Sequence, residues 1–84
     1  MKTVEIYTTP SCPYCTAAKA LLRKKSAAFT EIDVSREPAL RATMTARAGG
    51  SRSVPQIFIG GTHVGGCDDL HALDANRKLD AMLA

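Results

Sequence analysis

Tryptophan is absent from this chain, and two tyrosines and two phenylalanines make up its whole aromatic complement. Lys and Arg outnumber Asp and Glu by eleven to eight, but the basic residues are spread along the chain with no aromatics interleaved. That pattern describes a solvated surface and argues against nucleic-acid binding. A mildly basic surface still favours anionic thiol substrates. No apolar stretch approaches the ~20 residues of a membrane span, and Met1-Lys2-Thr3 runs straight into a strand-like segment with no secretory pattern. The protein is therefore expected to be soluble and cytoplasmic. Cysteine is sparse and odd in number, three in all, where a small secreted scaffold carries a denser, even set. A reducing compartment and a working dithiol fit that count. Repeats, linkers and low-complexity segments are missing too, and 84 residues exclude two independent domains, so residues 1–84 are read as one.

What is present is an alternation of short apolar strands and amphipathic helices. Val4-Glu5-Ile6-Tyr7 reads as a strand, Thr8-Thr9-Pro10-Ser11 as a turn, and Pro13 to Lys25 as a helix with Tyr14, Cys15, Ala18, Leu21 and Leu22 on one side. Ala28 to Asp33 suits a second strand. With the helix between them, the two strands form a βαβ unit and should run parallel. Ser35 and Pro38 open a second helix carrying Leu40 and Met44, and Gly49-Gly50 ends it. Gln56 to Ile59 and Thr62 to Val64 flank Gly60-Gly61, a two-residue hairpin signal. A third helix starts near Cys67 with Leu70 and Leu73 facing inward, and Leu79, Met82 and Leu83 suggest a final helical turn over the core. The expected fold is α/β, a four-stranded mixed sheet flanked by three to four helices.

The chemistry centres on Cys12-Pro13-Tyr14-Cys15. The strand before it and the helix after it put Cys12 at a helix N-terminus, where unpaired backbone N–H groups and the positive end of the helix dipole stabilise a thiolate. Cys15 lies three residues on, close enough to attack a mixed disulfide formed on Cys12. Pro13 sits in the first turn, where its missing N–H is no loss.

Together with this Cys-x-x-Cys, Ser53-Val54-Pro55 and Gly65-Gly66-Cys67-Asp68-Asp69 stand in an order and spacing that resemble the three motifs of the dithiol glutaredoxins. Val4-Glu5-Ile6-Tyr7 and Pro55-Gln56-Ile57-Phe58-Ile59 are similar to the small bacterial glutaredoxin 3 type in particular, and the resemblance covers essentially the whole chain. It implies a thioredoxin fold and a glutathione-dependent thiol–disulfide oxidoreductase. Cys12 would be the nucleophile and Cys15 the resolving thiol. Protein disulfides would be reduced through both thiols, and glutathione mixed disulfides through Cys12 alone. Glutaredoxin potentials lie at about −200 to −230 mV against about −270 mV for thioredoxin, so glutathione should reduce the couple.

The resemblance also implies a glutathione site. Tyr14 either lies beside the bound tripeptide or is simply a half-exposed aromatic. Ser53, Val54 and Pro55 would align the substrate, the family's X-Pro bond being cis, with the N–H and C=O of Val54 free to pair with the cysteine of glutathione; the plainer reading has Pro55 start an edge strand. Gly66 and the helix start after it would receive a carboxylate, while Asp68 and Asp69 take the α-ammonium of the γ-glutamyl end or serve as ordinary helix capping. Cys67 lines the site by resemblance and otherwise reads as a small semi-buried thiol. Glutaredoxins often place a lysine three residues before the nucleophile to hold the glycine carboxylate, and here that position is Thr9. Arg47 and Arg52 are the remaining cations, Arg47 the preferred one. The implied partners are glutathione, protein disulfides and glutathionylated proteins, ribonucleotide reductase among them from the family alone. Neither metal, nucleic acid nor membrane is expected, and a monomer is.

Two other functions compete. Cys12, Cys15, Cys67 and His71 could form a Cys₃His zinc site, since Cys67 and His71 are four apart on one helical face; a glutathione-ligated iron–sulfur cluster between two subunits is the related idea. Such a module would leave the glutathione-like motifs unexplained. A redoxin served by thioredoxin reductase is the other competitor, and the same motifs argue against it.

Overall fold

In the computed structural model, which describes residues 1–84, alternation along β1 (Val4–Thr8) gives the sheet two apolar faces. Val4 and Ile6 face one side and Tyr7 the other. The remaining elements follow as α1 (Pro13–Lys24), β2 (Phe29–Asp33), α2 (Pro38–Arg47), β3 (Gln56–Ile59), β4 (Thr62–Gly65), α3 (Cys67–Ala75) and α4 (Leu79–Leu83). The strand order is β2-β1-β3-β4. β1 pairs parallel with β2 through the α1 crossover, and antiparallel with β3, which pairs antiparallel with β4. This is the mixed sheet expected from the sequence. Gly60 and Gly61 make the β3–β4 turn with φ of 58° and 81°, the left-handed pair that a tight hairpin requires.

α1, α3 and α4 cover one face. Leu22, Leu70 and Leu79 are fully buried there against Val4, Ile6, Ile57 and Ile59, and each such side chain stabilises the fold by about 1.5–3 kcal/mol relative to exposure. α2 alone covers the other face, through Met44 against Tyr7, Val34 and Phe58. The last helix is tied to the first strand by a hydrogen bond from Lys2 N–H to the Leu83 carbonyl at 2.9 Å. Lys25 pairs with Asp74 at 2.7 Å and Asp80 at 3.1 Å beside it.

Two sequence expectations change. Tyr14 does not join the buried side of α1: it is 63% exposed, while Cys15 beside it is buried. Pro55 does not begin an edge strand, since β3 is interior and β2 and β4 are the edges. Topology then places the chemistry. β1 ends where antiparallel β3 begins, so the start of α1, the Val54-Pro55 segment and the start of α3 meet at one end of the sheet.

Candidate functional site

Cys12 caps α1: its sulfur accepts the backbone N–H of Cys15 at 3.2 Å. The same sulfur lies 3.8 Å from the carbonyl oxygen of Val54, 42 positions along the chain. It is partly exposed, whereas Cys15 is 1% exposed. Burial, and then the hydrogen bond shared with Cys12, push the Cys15 thiol up to about 12, with the Thr9 backbone N–H pulling weakly the other way. The two sulfurs are thus unequal. Cys12 is reachable and served by an N–H donor, whereas Cys15 is buried and holds its proton more tightly than an ordinary thiol.

Beside the dithiol runs an open groove of about 320 Å³. Tyr14, Ser53, Val54, Pro55, Gly66, Cys67, Asp68 and Asp69 all line it, joined by Ser51, Gln56, His63 and Gly65. The Val54-Pro55 peptide bond is cis. Gly65 has φ +119°, and a Cβ there would meet the Asp69 carboxylate, so glycine is required for the chain to turn into α3. Asp69 uses that closeness to accept the Gly66 N–H at 2.9 Å, the capping arrangement of a helix start. This divides the acidic pair: Asp69 holds the helix, and Asp68 is exposed beside it with no such partner. Cys67 is 7% exposed, and burial, then the Asp68 charge, push its thiol up. Its sulfur lies 3.4 Å from His71 Nδ1, which is also 2.9 Å from the Cys67 carbonyl. No three His, Cys, Asp or Glu side chains are grouped to hold a metal ion.

The structure does not bring Arg47 to this groove. Its guanidinium pairs bidentately with Glu5, at 2.9 and 3.0 Å, donates to the Tyr7 hydroxyl at 2.9 Å, and stacks 4.1 Å from the Phe58 ring centroid. The reason is register. Glu5 lies opposite Phe58 in the β1–β3 ladder, on the face that α2 covers, so the end of α2 meets a carboxylate before it meets solvent. The hydrogen bonds and charge of Arg47 hold the Glu5 carboxyl below its ordinary 4.5. A lowered carboxylate stabilises the fold fully above that ordinary value, and the contribution is lost as pH falls through the folded value. Arg47→Ala should lower stability at neutral pH by about 1–2 kcal/mol, and urea denaturation should show the deficit shrinking as pH falls below the ordinary carboxyl value of 4.5.

Ser51, Gln56, His63 and Gly65 belong to the groove lining but not to the expected site. Gly65 stood inside the glycine pair already singled out. For Gln56 and His63 the available signal was strand alternation, which sets both on the face of Phe58 across a two-residue hairpin.

A glutaredoxin family model matches residues 4–64. Over 84 residues the chain is 58% identical to a glutaredoxin of Pseudomonas aeruginosa, covering 100% of this chain and 99% of that one. It is 52% identical over 83 residues to glutaredoxin 3 of Escherichia coli, covering 99% of each. The solution structure of a Brucella melitensis glutaredoxin matches with a TM-score of 0.86 at 59% identity, over 99% of this chain and 89% of that one. A crystal structure of a buckwheat glutaredoxin–glutathione complex matches with a TM-score of 0.89 at 32% identity, over 98% and 76%. With similarity of this depth running the whole length of the chain, the protein belongs to the glutaredoxin family, whose members are glutathione-dependent thiol–disulfide oxidoreductases.

Proposed function

We propose that Cys12 is the nucleophile and Cys15 the resolving thiol of this glutathione-dependent oxidoreductase, and that the groove lined by Val54, Pro55 and Gly66 seats the glutathionyl group. The observation that carries the reading is the Cys12 sulfur, held by a helix-start N–H 3.2 Å away and facing the Val54 carbonyl across the groove mouth. In the first step the Cys12 thiolate attacks a sulfur of the disulfide. A Cys12–S bond forms, the substrate S–S bond breaks, and the departing thiolate takes a proton. With a glutathione mixed disulfide, the glutathionyl group stays on Cys12 until glutathione attacks it and leaves as glutathione disulfide. With a protein disulfide, Cys15 attacks the Cys12 sulfur, releases the second substrate thiolate and closes the Cys12–Cys15 disulfide, which two glutathione molecules then reopen.

The groove's ends suit a zwitterion. The first N–H groups of α3 offer donors to the γ-glutamyl carboxylate, and exposed Asp68 is free to take the ammonium. For the glycine carboxylate we assign Arg52 in place of Arg47, because Glu5 and Tyr7 already engage Arg47 whereas Arg52 is exposed, makes no ion pair and directly precedes Ser53. An exposed contact of this kind is worth about 0.2–1 kcal/mol. Arg52→Ala should therefore raise the KM for a glutathione mixed disulfide by about two- to fivefold at low salt, the difference fading as ionic strength rises. One domain over residues 1–84, acting as a monomer in the cytoplasm without a metal, completes the reading, with three free cysteines suited to a reducing compartment. Ribonucleotide reductase is a protein substrate suggested by the family alone. The test is turnover coupled to glutathione reductase: a glutathione mixed disulfide should be reduced in the presence of glutathione, and replacing the couple with thioredoxin reductase should give none.

A further inference from the structure

A polar cluster on the α2 face of the sheet forms part of the groove wall. Gln56, the first residue of β3, is 3% exposed, yet its side-chain amide is surrounded by partners. Its Nε2 lies 3.0 Å from the Ser53 carbonyl oxygen, 3.2 Å from Ser53 Oγ and 3.0 Å from Ser51 Oγ, and its Oε1 lies 2.7 Å from His63 Nε2. A backbone carbonyl only accepts, so the amide must turn its NH₂ toward Ser53 and its oxygen toward His63. His63 Nε2 must then carry a hydrogen, as it does both in the Nε2–H tautomer and in the imidazolium. The imidazole is placed for this by Phe58, opposite it in the β3–β4 ladder, with ring centroids 5.0 Å apart.

We propose that Gln56, itself oriented by His63, is a positioning residue for glutathione: by holding the Ser53 carbonyl it fixes the direction in which Val54 presents its backbone N–H. The inference rests on the glutathione reading of the groove. The Ser53–Val54 peptide is trans, the only cis bond being the next one, and in a planar trans peptide the C=O and N–H point in opposite directions. A hydrogen bond that pins the oxygen from the sheet side therefore aims the N–H away from the sheet. Without it, the Ser53–Val54 plane is free to rotate, and the backbone must be ordered each time a glutathionyl group pairs with it. Gln56 acts through Ser53, because both of its amide hydrogens are spent on the serines. His63 acts one step further back, keeping the amide from flipping.

The test uses the mixed disulfide of glutathione with 2-mercaptoethanol. Loss of the hydrogen bond to the Ser53 carbonyl implies that Gln56→Leu raises its KM about three- to tenfold with kcat nearly unchanged. Iodoacetamide alkylation of Cys12, which needs no glutathione site, should keep its wild-type rate. His63→Leu should raise KM about twofold, and His63→Gln, which restores a donor to the Gln56 oxygen, should bring it back. An unchanged KM in a folded Gln56→Leu protein overturns the inference. If Gln56→Leu does not fold, the exposed His63 decides: equal KM values for His63→Leu, His63→Gln and wild type overturn it, and the split supports it. Failure of the wild-type protein to turn over this mixed disulfide would overturn the glutathione reading itself.

Discussion

Cys12→Ser should bring reduction of both glutathione mixed disulfides and protein disulfides down to assay background, a loss of about a thousandfold or more. A serine hydroxyl in the same place meets the same Cys15 N–H, but it stays protonated near neutral pH and forms no disulfide. No other sulfur can replace it. Cys15 faces the core, with its thiol pushed up to about 12, and Cys67 is buried against His71 with its thiol also pushed up. The substitution removes little packing, because Cys12 is partly exposed, so thermal unfolding should be nearly unchanged. That separates lost chemistry from lost fold. Appreciable residual turnover in a folded Cys12→Ser protein would move the nucleophile to Cys67, the remaining thiol on the groove.

Cys15→Ser should divide the two reactions that Cys12→Ser removes together. If Cys12 is the nucleophile, a glutathione mixed disulfide needs only one protein sulfur, because glutathione itself can attack the glutathionylated Cys12. Its turnover should stay within about threefold of wild type. If Cys15 is the resolving thiol, protein disulfides depend on its intramolecular attack, and without it the protein should remain trapped in a mixed disulfide with its substrate. That route should fall by about a hundredfold or more, since an attack within one active site gives way to capture of glutathione from solution. Parallel progress curves on the two substrates check the division. Equal loss on both would show that Cys15 supports the fold or the Cys12 sulfur and is not the resolving thiol.

The parts of this molecule legible in the sequence are those that local patterns encode. Alternation in Val4 to Tyr7 and in Gln56 to Ile59, the Gly60-Gly61 turn and the Pro13 helix start each report on a few neighbouring residues, and all recur in the structure. The motifs that meet at the groove were legible for a related reason: they are short backbone features at element ends, and antiparallel pairing of β1 with β3 brings those ends together. What escaped were side-chain partnerships across distance. Arg47 reads as a free cation near a loop until α2 is docked on the sheet, when Glu5, 42 positions away, captures it. Asp68 and Asp69 are equivalent in sequence, and only the turn at Gly65 decides which of them caps α3. Tyr14 fits the helical stripe of Cys15 and Ala18, yet it stands exposed at the groove. Gln56 reads as the polar start of a strand, and its role appears only when the bulged β3–β4 register sets His63 within 2.7 Å of it.

The most direct test is to trap the first covalent intermediate. Cys15→Ser protein treated with glutathione disulfide and digested without reductant should carry one glutathionyl group, located by mass spectrometry on the peptide containing Cys12, while Cys67 stays unmodified. A glutathionyl group on Cys67, or none on Cys12, would contradict the account.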